Sequence, residues 1–192
     1  LAIKLKDHAK KSAQSAYRTK ILFDTNQLLQ RADSENDIIA IAAHQLMKLL
    51  KRDIIIYPVV NNNIGEANIF LSDGDEDEIK DIIIDEKEVA QWVLENNHQA
   101  GATTDTFSQA KFLYYAIRVN DKIYGVVGIH INEKAIDSFE SSILLSILGE
   151  CAISLENKKI AREKEESELL AKNEKMRANL LRAISHDLRT PL

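Results

Sequence analysis

The residue pattern predicts an α+β fold: an antiparallel sheet with helices gathered on one side, flanked by long N- and C-terminal helices. Three observations carry that class. Two pairs of β-branched and aromatic runs, each pair joined by turn residues, read as hairpins. Apolar residues at helical spacing mark the segments before and between them. Each end of the chain is a long stretch almost free of proline and glycine, which permits continuous helices.

Residues 1–31 read as one connecting helix, with Ile21, Leu22, Leu28 and Leu29 clustered toward its C-terminal half. Asp33-Ser34 breaks it, and Ser34 with Asp37 three residues on is an N-cap signature. From Glu35 to Leu50 the positions Ile38, Ile39, Ala42, Ala43, Leu46, Leu49 and Leu50 predict an amphipathic helix. Asp53 to Val60 is short and β-branched, a strand with Pro58 near an edge or bulge. Asn61-Asn62-Asn63 is turn material, and Glu66 to Leu71 is the returning strand.

The acidic run from Asp73 to Glu78 lacks the spacing of a calcium loop and reads as solvated. The run Ile82-Ile83-Ile84 fits strand or helix equally. Glu86 to Asn97 reads as a helix, closed by His98-Gln99-Ala100-Gly101. Lys111–Val119 and Ile123–Ile131 then form the second hairpin across Asn120-Asp121-Lys122. Everything from Ser138 onward is helical. Its first part carries the stripe Ile143, Leu144, Ile147, Leu148, Ala152 and Leu155; its middle, Lys158 to Glu168, is almost all charge. A heptad frame through Leu148, Leu155, Leu169 and Met176 puts Arg162 at a core position, so a coiled-coil seam there is weak. The final frame, Leu181, Ile184 and Leu188, is offset from it, which implies a stutter.

Composition excludes several functions. A net charge of −5 leaves no general excess of cation for nucleic acid, so no nucleic-acid partner is expected. One cysteine, Cys151, permits no internal disulfide, and its apolar neighbours mark it as a buried small hydrophobe. His44 has no companion at ligand spacing, and no metal site is expected. No run reads as a membrane span, so membrane attachment is expected only through segments outside this sequence. The 6 glycines form no phosphate-binding box.

Chemistry concentrates at the end, in Ser185-His186-Asp187-Leu188-Arg189-Thr190-Pro191-Leu192. His186 falls opposite the Leu181, Ile184, Leu188 stripe, and Pro191 should kink the helix. These eight residues resemble the H-box of sensor histidine kinases. The resemblance implies that His186 is the phosphoacceptor, Asp187 its proton acceptor, and Thr190 a position used when phosphohistidine is hydrolysed. It also implies a homodimer, a cognate response regulator, and ATP bound by a domain absent from these residues, so that the fragment alone is inactive.

Upstream, the order of helices and hairpins, with Tyr124-Gly125-Val126-Val127-Gly128-Ile129 as closing strand, resembles a GAF domain. Ala90-Gln91-Trp92-Val93 followed by Gln99-Ala100-Gly101-Ala102-Thr103-Thr104-Asp105-Thr106 resembles the segment of the Kdp potassium-responsive sensor kinases in which a tryptophan helix leads into A-G-x-G-T-D-T-L-P. Thr103 replaces the second glycine, Phe107 the leucine and Ser108 the proline. The implied organisation is a connecting helix over 1–31, a GAF-like sensor domain over 32–157, and a signalling and truncated phosphoacceptor helix over 158–192. The implied role is the cytoplasmic sensor or relay region of a membrane-anchored kinase controlling potassium uptake. The alternatives are a small-molecule-binding GAF domain, with a pocket near Trp92, Asp105 and Tyr114, and a ligand-free dimeric relay module of another signalling protein. No cofactor is expected in the fragment itself.

Overall fold

The computed structural model describes residues 1–132 and 134–189. The chain divides into two compact units, residues 1–156 and 157–192.

In the first unit, α1 (Ala2–Gln30) leads into α2 (Glu35–Leu50), and the capping box predicted between them is formed. The Asp37 amide donates to Ser34 Oγ at 3.1 Å, and the Ser34 amide donates to Asp37 Oδ2 at 2.9 Å. Both amides would otherwise lack partners at the helix start. Strands β1 (Ile54–Val60), β2 (Asn63–Ile64) and β3 (Asn68–Phe70) follow, then α3 (Glu76–Asn96), β4 (Ala100–Gly101), β5 (Phe112–Val119), β6 (Lys122–His130) and α4 (Ser138–Arg189).

All pairings are antiparallel, in the order β2-β1-β6-β5-β4, with β3 also paired to β1. Pro58, which has no N–H to give the ladder, pairs with Gly125 at the last rung between β1 and β6. The returning strand predicted over 66–71 is the three-residue β3, and the two-residue β2 begins within the predicted turn; both pair with β1.

Alternation along the strands feeds two apolar layers. Ile54, Ile56, Ile117, Val127 and Ile129 pack with α1, α2 and the start of α4. Ile55, Tyr57, Phe112, Tyr114 and Val126 pack beneath α3. Helices α1, α2 and the start of α4 gather on one side as expected, whereas α3, expected with them, covers the opposite face because its own apolar stripe meets the alternate side chains of the strands. The ambiguous Ile82-Ile83-Ile84 run lies inside α3, whose buried positions Ile79, Ile82, Glu86, Val89, Ala90 and Val93 keep helical spacing.

The acidic run also has a structural use. Asp75 caps α3, accepting from the Asp77 amide at 2.9 Å, and Glu76, Asp77 and Glu78 occupy the first turn, where the helix dipole favours negative charge. Just before it, the buried Asp53 carboxylate accepts from the amides of Ser72 and Gly74 at 2.7 and 3.2 Å. A Cβ on Gly74 would lie 2.3 Å from Asp53 Oδ2, so only glycine lets the backbone close on that carboxylate.

One sequence expectation changes. The early part of α4 is long and apolar enough, by length and composition, to cross a membrane. In the fold that apolarity faces the sheet: Ile143, Leu144, Ile147, Leu148, Cys151, Ala152 and Leu155 are buried in the helical-side core. The second unit is the continuation of α4 to Arg189, and its described residues beyond 159 are all exposed.

Candidate functional site

Two regions carry candidate chemistry, one in each unit. In the second unit, on α4, Leu181, Ile184 and Leu188 stand on one side of the helix. At about 100° per residue, His186 falls roughly opposite that stripe. Its side chain is 80% exposed and that of Asp187 88%, with His186 Nδ1 3.8 Å from Asp187 Oδ1. An exposed imidazole with a carboxylate toward Nδ1 leaves Nε2 as the nitrogen on the far side of the ring. Thr190 and Pro191, with the predicted kink, lie outside the described residues.

In the first unit the centre of interest is Glu86. It is only 8% exposed, yet sits on the apolar stripe of α3. Its carboxylate accepts three donors: the Lys111 amide at 2.5 Å, the Phe112 amide at 3.2 Å and the Tyr114 hydroxyl at 3.0 Å. These bonds fasten the start of β5 to α3 and satisfy a charge that would be expensive to bury alone. Burial pushes the Tyr114 hydroxyl well above its usual pKa, with the Glu86 charge adding to it. Burial likewise pushes the Tyr57 hydroxyl up to about 12, again with Glu86 contributing. Tyr57 Oη is buried without a hydrogen-bond partner among the described residues. Glu86 also floors an open cleft of about 650 Å³, lined by Ile82, Asp85, Val89, Phe107 and Lys111 among others.

Of the three residues named for a pocket, Trp92 and Tyr114 both pack in the apolar layer beneath α3. Tyr114 is fully buried and held by Glu86. Trp92 is half-buried, its ring edge-on to Phe107 at 6.1 Å between centroids. Asp105 is exposed on the loop. Sequence reasoning missed Glu86, although a carboxylate on an otherwise apolar helical stripe is a readable signal of a buried, partnered acid.

The loop between β4 and β5 is tightly bonded. The Gly101 amide donates to the Thr106 carbonyl at 2.8 Å, the Ala102 amide to the Phe112 carbonyl at 2.9 Å, and the Thr104 hydroxyl to the Gly101 carbonyl at 2.7 Å. Gly101 has φ +103°, and a Cβ there would lie 2.1 Å from the Phe112 carbonyl oxygen. Thr103, at the position where the resembled motif has glycine, takes φ +66° and so keeps a left-handed backbone without a glycine.

Known proteins share parts of this sequence and this fold. The sensor protein KdpD of Clostridium acetobutylicum is 28% identical over an alignment of 193 residues, spanning all of this chain and 21% of that protein. KdpD of Escherichia coli is 30% identical over 107 residues, covering 54% of this chain and 12% of that protein. The crystal structure of the native GAF domain of the E. coli potassium sensor histidine kinase KdpD superposes with a TM-score of 0.62 at 17% identity, over 76% of this chain and 98% of that one. The chain carries a KdpD-like GAF domain. The GAF domain of an Acinetobacter phosphoenolpyruvate-protein phosphotransferase shares the fold, with a TM-score of 0.54 at 12% identity, over 75% of this chain and 95% of that one. No family model matches the sequence. This KdpD-like chain spans about a fifth of the length of the Clostridium relative.

Proposed function

We propose that the chain is the cytoplasmic sensor and relay region of a two-component sensor histidine kinase, phosphorylated on His186 in the full protein. The observation that carries this reading is the eight-residue H-box, located where similarity to a KdpD sensor protein extends along the whole chain.

In the proposed reaction, His186 is neutral, with its proton on Nδ1 and a lone pair on Nε2. Nε2 attacks the γ-phosphorus of ATP held by another domain of the protein, and the bond to the β–γ bridging oxygen breaks to release ADP. The ring becomes cationic as the P–N bond forms, and Asp187, 3.8 Å from Nδ1, accepts the Nδ1 proton or stabilises the charge. The phosphoryl group then passes to an aspartate of a response regulator. By the H-box resemblance, Thr190 is the position used when the phosphohistidine is instead hydrolysed by water. By similarity to KdpD, the output is control of potassium uptake, and the working unit is a homodimer anchored in the inner membrane.

Within the domain, the layer beneath α3 is filled by Tyr57, Phe112 and Tyr114. That packing supports a relay that holds no ligand in its interior.

The full protein incubated with γ-labelled ATP should acquire acid-labile, alkali-stable label, and His186→Gln should acquire none. Asp187→Asn should slow labelling about 10²-fold or more, the usual scale for losing a positioned acid–base group. Label persisting in His186→Gln would remove His186 from this role.

A further inference from the structure

We propose that a second cleft, at the outer edge of β5, binds a small organic oxyanion: a carboxylate or phosphate monoester carrying a hydroxyl or amine donor beside the anionic group. The cleft holds about 290 Å³ and is lined by Asn97, His98, Gln99, Ala116, Arg118 and Ser141, flanked by two larger side chains. It lies in the first unit, away from the cleft over Glu86.

Charge is the first argument. Acidic residues outnumber basic ones 30 to 25 in this chain, yet the lining of this cleft contains none. Its cation, Arg118, has no ion-pair or hydrogen-bond partner among the described residues. A guanidinium fork without a partner is matched by a planar carboxylate or a phosphate, either of which it can hold through two parallel bonds.

The backbone adds a donor. The Phe112 carbonyl accepts from Ala102 on the β4 side of the strand, so the main-chain groups of Tyr114 and Ala116 point the same way. Strand β4 pairs only with Leu113 and Tyr114. The amide of Ala116 therefore faces the cleft at an open sheet edge.

Two side chains define the rest of the ligand. His98 Nδ1 lies 3.1 Å from the Asn96 carbonyl, which can only accept, so the proton sits on Nδ1 and Nε2 is uncommitted. Asn97 closes α3 in a left-handed conformation, φ +55°, with its Oδ1 buried and lacking a hydrogen-bond partner among the described residues. An orphaned buried acceptor costs free energy until a donor reaches it. A hydroxyl or ammonium adjacent to the anion would supply that donor. Ser141 brings α4 to the cleft wall, so an occupant would touch both the sheet and the helix that also carries His186. A regulatory use of that contact rests on the kinase reading above; the binding itself does not.

The test is an NMR titration of the 192-residue chain with inorganic phosphate, acetate and glycolate. Saturable shifts should appear at the amides of Ala116, His98 and Gln99 and at Arg118 Nε, with glycolate binding several-fold tighter than acetate. Saturation by phosphate or by glycolate identifies the anionic group. Arg118→Gln should weaken the binding at least tenfold, and Arg118→Lys should fall between, while Arg182→Gln, which removes an exposed positive charge elsewhere, should leave it unchanged. Absence of saturable shifts up to about 10 mM probe, a level that detects even millimolar affinities, would overturn the proposal. Equal binding by wild type and Arg118→Gln would overturn it as well. Neither result bears on His186 labelling, so the two readings fail separately.

Discussion

Glu86 and Thr103 show how much individual side chains decide here. Removing the Glu86 carboxylate leaves two backbone amides and the Tyr114 hydroxyl short of their acceptor within a core layer. Glu86→Ala should therefore destabilise the domain by about 3 kcal/mol, read as a fall in the denaturant midpoint at unchanged slope. Glu86→Gln, which keeps one acceptor oxygen, should lose less. Thr103 points the other way. A β-branched residue at φ +66°, with an exposed side chain, is strained. Thr103→Gly should stabilise by roughly 0.5–1 kcal/mol in the same measurement, the relief of strain exceeding the added freedom of the unfolded chain. The motif already suggested glycine at this point, but whether the loop would keep its backbone without one depends on bonds from Thr104 and Thr106 that have no sequence signature.

Among the elements, those with a clean period and a cap could be read directly. The segment Glu35–Leu50 had both, and Ser34→Ala should cost about 1 kcal/mol by removing the acceptor of the Asp37 amide. A parallel loss of helix signal at the domain's unfolding midpoint, rather than local fraying, should accompany it, because α2 is buried along the length of its inner face. The segment now seen as α3 was harder. Three consecutive isoleucines carry no period, and the helical stripe emerges only when Glu86 is counted among the apolar positions. Short strands were the other blind spot. β2 and β4 have two residues each, too few for alternation, and exist because neighbouring loops and β1 or β5 hold them.

For the whole molecule, buried ionisable groups set an upper pH limit. Burial pushes the Cys151 thiol from 9.0 up to about 12, and Tyr57 from 10.0 to about 12, while Tyr114 is raised further. The unfolded chain loses these protons first, so ionisation favours unfolding once pH exceeds the unfolded values. Stability should be flat with respect to these groups below about pH 9, then fall between pH 9 and 12, by up to roughly 1.4 kcal/mol per pH unit for each titrating group. Urea titrations across that range check it, and Cys151→Ala should remove the earliest part of the decline. Another property of the whole chain follows from where burial ends along α4. Leu155 is its last buried residue, although the helix runs on to Arg189. Amides from Ile143 to Leu155 can meet solvent deuterium only when the sheet and its helical layers come apart. Beyond residue 159 a chain taken singly offers its amides no more protection than the helix–coil equilibrium of an isolated segment. Deuterium uptake in the single chain should therefore divide one continuous helix into a slow half and a fast half, with His186 in the fast one.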